Sequence, residues 1–369
     1  MPLLSKKISP AAMSLVACWL LLQIFLIYHY SIVTNLEAAV YIDIAKYFLA
    51  NGHYPSGNFI FYSTQIMLDA FCMKTGIGFW PVMLLQIILN GFSIILFYRL
   101  INKFSGSKTI AFVYTLAFLA MFYYQLYNVS LYTESIYFSL GIIFTYFLFT
   151  CNQISFKNIL IIIAGLLLLI VTRPTGIFYF PAAFVFLVIK FYRKKTMIIL
   201  CCSLLIGFTA FYFLLNFALG SGGALDFLLP NLNETIICGI PTLNPPHQIA
   251  LNGNHNSVAG LWYFITNYPR IFFPLAGRRL LTFAGIYRNY YSALHNIFAC
   301  TYFFTAYFLI LLSLKKLLST FFAETMFILT IILLYCAAVA VSCDEWHNRF
   351  ILGLLPFLLL MSAAFFKKK

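Results

Sequence analysis

The chain has 369 residues, of which 63% are hydrophobic and 9% charged, with 42 Phe and 25 Tyr. That apolar content exceeds what a soluble core of this length hides, so a soluble globular or disordered protein is excluded and an integral membrane protein is indicated. The formal net charge of +14 does not call for nucleic acid, because Lys and Arg collect in the short cytoplasmic loops of membrane proteins.

Apolar runs of about 17 to 25 residues cross the hydrocarbon as helices. About ten spans are predicted, at 11–33, 79–101, 109–127, 131–151, 158–172, 176–192, 196–219, 294–314, 320–342 and 350–366, the short fifth leaving nine and eleven as alternatives. The chain 1–369 therefore reads as one all-α polytopic bundle. The first run is too long for a signal-peptide core and lacks a small-residue cleavage site, so it reads as a retained helix. A ten-span arrangement with both termini inside puts most of the 23 Lys and Arg on the cytoplasmic side. Of the nine acidic residues, all but Glu324 map to the outer side. The positive-inside rule says little about acids, so this asymmetry places the polar chemistry outside.

After the first run, residues 34–57 read as an interfacial helix on the outer face. Glu37, Tyr41, Ala45 and Leu49 recur every four residues, and Asn51 and Gly52 form a stop signal. Asp43 lies six positions from Glu37, about 120° around the helix, so the two carboxylates do not form an adjacent pair. Next, YYQLYNVSLYTESIYF reads as a tight turn with Glu134 at the outer start of a helix, where the dipole favours an anion. Its tyrosines alternatively form an interfacial aromatic belt. In VTRPTGIFYFP, Arg173 ends one helix and the following Pro and Gly begin another. Its bland role is snorkelling to the interface.

Residues 220–293 form the longest outer segment. Its first half is a Gly-, Pro- and Asn-rich loop, and its second half reads as interfacial helices offering Arg270, Arg278, Arg279 and Arg288 to anions. Finally SCDEWHNRF, Ser342 to Phe350, packs Asp344, Glu345, His347 and Arg349 between two apolar runs. Asp344 and Glu345 are expected to hold Arg349 by charge pairing, the alternative being an interfacial anchor for the last helix. Cys238 and Cys343 are the cysteines expected outside, and spacing leaves their pairing open. No CxxC-type metal pattern occurs; Asp344, Glu345 and His347 are a weak cation set.

Four features in order resemble the GT-C class of membrane glycosyltransferases. They are E-x-x-x-Y-x-x-x-A-x-x-x-L-x-x-G at Glu37 to Gly52, T-E at Thr133 and Glu134, R-P-x-G at Arg173 to Gly176, and H-x-R-F-x-x-x-x-x-P at His347 to Pro356. Many members have Asp where this chain has Glu37, and nothing here resembles the WWDYG motif of oligosaccharyltransferases. The resemblance implies transfer of a sugar from a polyprenyl-phosphate or polyprenyl-diphosphate carrier to a glycan, lipid or protein acceptor, at the outer or lumenal face of a membrane, expected to be a bacterial inner membrane.

Such transfer needs a base for the acceptor hydroxyl, and charge stabilisation for the leaving phosphate. Glu37 is the candidate base, with Glu134 as second pocket acid and Asp43 as the remaining catalytic candidate. Arg349 and Arg173 are the candidates for the donor phosphate, with Arg278 and Arg279 in reserve. Tyr41, His347 and Glu345 are expected to line the substrate site. No cofactor is demanded, although a divalent metal is an alternative source of phosphate stabilisation. Two other classes share the composition: an O-antigen polymerase or ligase, and a lipid-linked sugar flippase or transporter. The latter should show an internal repeat and midplane charges, and neither is visible in the sequence.

Overall fold

The computed structural model describes residues 10–192, 212–213, 216, 229–240 and 258–368. Among these residues the chain is all-helical, with only two isolated bridges, Val33 to Ser130 and Ile237 to Asp344. The helices are α1 (Pro10–Tyr30), α2 (Glu37–Asn51), α3 (Ser63–Thr75), α4 (Trp80–Ser105), α5 (Lys108–Leu119), α6 (Phe122–Leu126), α7 (Thr133–Thr150), α8 (Phe156–Thr172) and α9 (Tyr179–Phe191). After a single helical turn at Leu229–Leu232 come α10 (Val258–Asn267), α11 (Pro269–Phe283), α12 (Ala293–Thr320), α13 (Phe322–Val341) and α14 (Arg349–Ala363).

Seven helices are long and apolar enough to cross a membrane, or eight if one bent pair counts as a span. The bundle is therefore that of a membrane protein, with fewer qualifying spans among the described residues than the ten expected. The expected span at 196–219 lies outside the described residues. At 158–172 the helix is real but short, α8 having 17 residues. The expected straight span at 109–127 is broken: Lys108–Leu119 and Phe122–Val129 meet at 69°. A buried polar knot draws the second half aside, because Asn128 donates to Gln23 and Gln125 and accepts from Ser135 at 2.7 Å. Tyr124, Tyr127 and Tyr137 are buried in this packing, so they are core residues and not interfacial anchors.

α14 is buried all round, every residue from Ile351 to Ala364 being inaccessible. An apolar helix with no polar face belongs in the middle of a bundle, and its side chains merge with those of α4, α7, α12 and α13 in one continuous core. α2 lies apart, against α3, with Ala38, Tyr41 and Ala45 buried and Lys46 and Asn51 exposed. Leu49 departs from the expected row and is 41% exposed. A step of four residues overshoots a full turn by about 40°, so after three steps the row has rotated off the buried face. α3, for which the sequence offered no expectation, doubles the layer and links to α8 through the Thr64 and Thr172 hydroxyls at 2.9 Å.

Candidate functional site

Four charged residues from distant parts of the chain meet at one end of the bundle. Glu37 opens α2, Glu134 sits in the first turn of α7, Arg173 caps the end of α8, and Arg349 starts α14.

Glu134 is the centre, and its side chain is fully buried. A carboxylate this far from water persists only with full charge and hydrogen-bond compensation. Arg173 Nη1 pairs with its Oε1, and Arg349 donates to the same oxygen from Nη2 and, at 2.6 Å, from Nε. Arg173 Nη1 also donates to the Thr133 hydroxyl at 3.3 Å. Arg349 then bridges outward, since its Nη1 pairs with Glu37 Oε2 and lies 3.8 Å from Glu345. The Tyr132 ring lies 5.6 Å from the Arg349 guanidinium carbon, within cation–π range.

Glu37 is the accessible acid of the core pair, with 28% of its side chain exposed. Tyr41 Oη donates to Glu37 Oε1, so the tyrosine orients the carboxylate from beneath and is itself buried. Burial pushes the Tyr41 phenol well above its ordinary range, reinforced by Glu37, which keeps it a donor. Burial likewise pushes the Glu345 carboxyl up, and Arg349 opposes this. Three carboxylates against two guanidinium groups leave the cluster one formal negative charge. Each Arg349 Nη carries two N–H groups and spends one on a carboxylate, so each retains a donor for another oxyanion.

Local backbone geometry serves this convergence. Leu36, directly before Glu37, has φ 55°, and His347 and Asn348, directly before Arg349, have φ 52° and 61°. Left-handed non-glycine residues cost on the order of 1 kcal/mol or more each and cluster where a site is held in a fixed geometry. The R-P-x-G stretch has its own reason: the chain after Arg173 folds back so tightly that a Cβ on Gly176 would lie 2.2 Å from the Leu169 carbonyl oxygen. Only glycine permits that return.

The other expected residues fall elsewhere. Asp43 is 70% exposed and pairs with Lys46 at 2.9 Å, facing away from the cluster as its position on α2 requires. Arg278 is exposed on α11. Arg279 is buried and donates to the carbonyls of Pro230, Thr235 and Ala340 and to Asn231, which makes it a structural bolt for the 229–235 segment. Asp344 does not touch Arg349; it pairs with Arg288, both side chains being fully buried. Glu345 alone of the two acids approaches Arg349. Cys238 and Cys343 form a disulfide beside this pair, with Cα atoms 5.3 Å apart.

His347 leaves the charged cluster and faces a groove of about 450 Å³ between the α6 turn, α12 and α14. Its ring stacks on Tyr123 at 5.4 Å, and Tyr123 stacks in turn on His295 at 5.2 Å. Arg288, expected to be open to anions, is instead buried against Asp344, and Tyr132, expected in an aromatic belt, lies over Arg349. Tyr132 adjoins the T-E pair, a positional hint, whereas nothing in the sequence links Arg288 to an acid 56 residues later. Among the described residues, no group of three or more His, Cys, Asp or Glu side chains is arranged to hold a metal ion.

Comparison with protein-family models, curated proteins and solved structures finds no match to this chain.

Proposed function

We propose that the protein is a membrane glycosyltransferase that moves a sugar from a polyprenyl-phosphate carrier to an acceptor hydroxyl at the outer face of a bacterial inner membrane, with both termini inside. The observation that carries this reading is the meeting of Glu37, Glu134, Arg173 and Arg349 at one end of an otherwise apolar bundle. Ionisable groups inside membrane bundles are costly and mark functional sites by default. The resemblance of their surrounding motifs to the GT-C class adds to it.

In the proposed reaction the acceptor oxygen attacks the anomeric carbon while the carrier phosphate leaves with the bonding electron pair. Glu37, the accessible acid, takes the hydroxyl proton. The remaining Nη donors of Arg349, with Arg173 behind, stabilise the departing phosphate. Glu134 is too buried to exchange protons with a substrate, and its role is to hold both arginines at fixed spacing. The acceptor is a glycan, lipid or protein hydroxyl, and His347 borders the groove beside it. A divalent cation recruited with the donor would share the phosphate charge.

Glu37→Gln keeps the shape of the side chain and removes the proton acceptor. Transfer from a polyprenyl-phosphate sugar by the purified protein should fall by a factor on the order of 10² to 10⁴, with donor binding retained. Normal turnover in this variant would overturn the base assignment.

A further inference from the structure

The segment that delivers Arg349 is held by a second buried charge pair on the opposite side of the chain. Arg288 donates from Nη2 to Asp344 Oδ2 and from Nε to Asn348 Oδ1, the latter at 2.8 Å. One guanidinium thus grips both ends of the short turn that precedes α14. Arg288 is itself anchored: its backbone N–H donates to Asn296 Oδ1 at 2.9 Å, and Asn296 Nδ2 donates back to its carbonyl at 2.8 Å. That ties it to the first turn of α12. On the other side, the Asp344 backbone exchanges hydrogen bonds with Ile236 and Cys238 at 2.9 and 2.7 Å, and the Asp344 carboxylate accepts the Glu345 N–H.

Inside this grip lie the two left-handed residues His347 and Asn348. Neither is glycine, so the conformation is not one the isolated turn would choose, and it persists because the surroundings over-determine it. Its effect is directional. Two successive left-handed residues turn the chain sharply enough that α14 starts with Arg349 facing Glu37 and Glu134.

We propose that Arg288 is a positioning residue: by clamping Asp344 and Asn348 together it holds the turn in the one conformation that aims Arg349 between Glu37 and Glu134. Arg288 touches none of those acids and acts through Arg349. The catalytic consequence rests on the glycosyl-transfer reading; the structural one does not.

Asn348→Gly tests this in the full-length protein. Glycine accepts the left-handed backbone without strain, so the change removes the oxygen that Arg288 Nε grips and leaves the Arg288 to Asp344 pair intact. Amide hydrogen exchange over residues 345–349 should accelerate roughly tenfold or more, with α7 and α8 unchanged. Asn348→Asp, which restores an oxygen for Nε and also tolerates the left-handed region, should keep the protection. The rate of sugar transfer should fall roughly 10- to 100-fold in Asn348→Gly through misaim of Arg349. In an Arg349→Ala background the same change should add nothing, because nothing remains to be aimed. Unchanged exchange in Asn348→Gly would overturn the proposal, and so would an effect on transfer that simply adds to that of Arg349→Ala. If exchange responds as expected while the wild-type protein transfers no sugar, the clamp stands and the glycosyl-transfer reading is what fails.

Discussion

Arg349 turns all three guanidinium nitrogens toward carboxylates, and that allocation determines what its replacements should do. Arg349→Ala leaves the buried Glu134 with Arg173 as its counter-charge and frees Glu37, a loss of about 3–5 kcal/mol by analogy with other broken buried pairs. It should lower the melting temperature as well as donor affinity. Arg349→Lys restores the charge but offers one ammonium where three nitrogens reached two acids, so stability should recover more than transfer does. Thermal melts alongside transfer rates separate these outcomes. Glu37 and Glu134 were legible as candidates because acids are so rare here that each invites a role, and Arg173 and Arg349 through the R-P-x-G and H-x-R-F stretches that hold them. The failures were of aim and not of residue type. Asp43, Arg278 and Arg279 have suitable chemistry, but which way a side chain faces on a short helix depends on what packs against it. The Arg288 to Asp344 pairing depends on tertiary contacts that no local pattern records.

At the scale of elements, α3 and the hook after α8 show what apolar run length leaves out. α3 is a short helix of mixed composition that carries a buried acid. Asp69 receives one hydrogen bond, from Gln65 at 3.0 Å, and its Oδ2 has no hydrogen-bond partner. Burial pushes its carboxyl from 3.8 up to about 7, with Gln65 opposing. A carboxyl whose folded value is raised binds its proton more tightly when folded. Its contribution to stability is therefore complete below its ordinary value and lost as pH rises toward 7. Asp69→Asn removes that slope, so its melting temperature should gain on the wild type from pH 4 to pH 7 and keep a constant lead above. The lead corresponds to something on the order of 4 kcal/mol. Parallel pH profiles would show that Asp69 is not titrating as described. For the hook, Gly176→Ala sets a methyl against backbone that cannot yield cheaply, at about 1–3 kcal/mol. Because Arg173 caps the same turn, transfer should drop in the fraction that still folds, as measured per folded molecule.

Across the whole molecule, run length and charge asymmetry revealed a helical membrane bundle and which end is rich in acids. They did not reveal the break between α5 and α6, since no Pro or Gly lies at the bend and its cause is the distant Gln23 and Ser135. The disulfide offers a test of the proposed sidedness. Cystines persist in oxidising compartments, and the proposed topology puts Cys238 and Cys343 on the outer side together with the cluster. Denatured protein should therefore gain two alkylatable thiols on reduction. In intact cells treated with reductant, a membrane-impermeant thiol reagent should reach that pair; labelling only after permeabilisation would invert the topology.

The central place of α14 carries a consequence for how the molecule is made. The helix that fills the middle of the bundle is translated after the helices it packs against, and Arg349 follows Glu134 by 215 residues. While the ribosome is still working, the earlier helices surround an unfilled centre. Glu37 and Glu134 meanwhile wait without the arginine that joins them, Arg173 being the cation already at hand. The arrival of α14 is then an insertion into the core and not an addition to its edge. A nascent chain halted at residue 341 should remain an open, loosely packed intermediate that membrane proteases clear, and completion of α14 should switch it to a resistant state in one step.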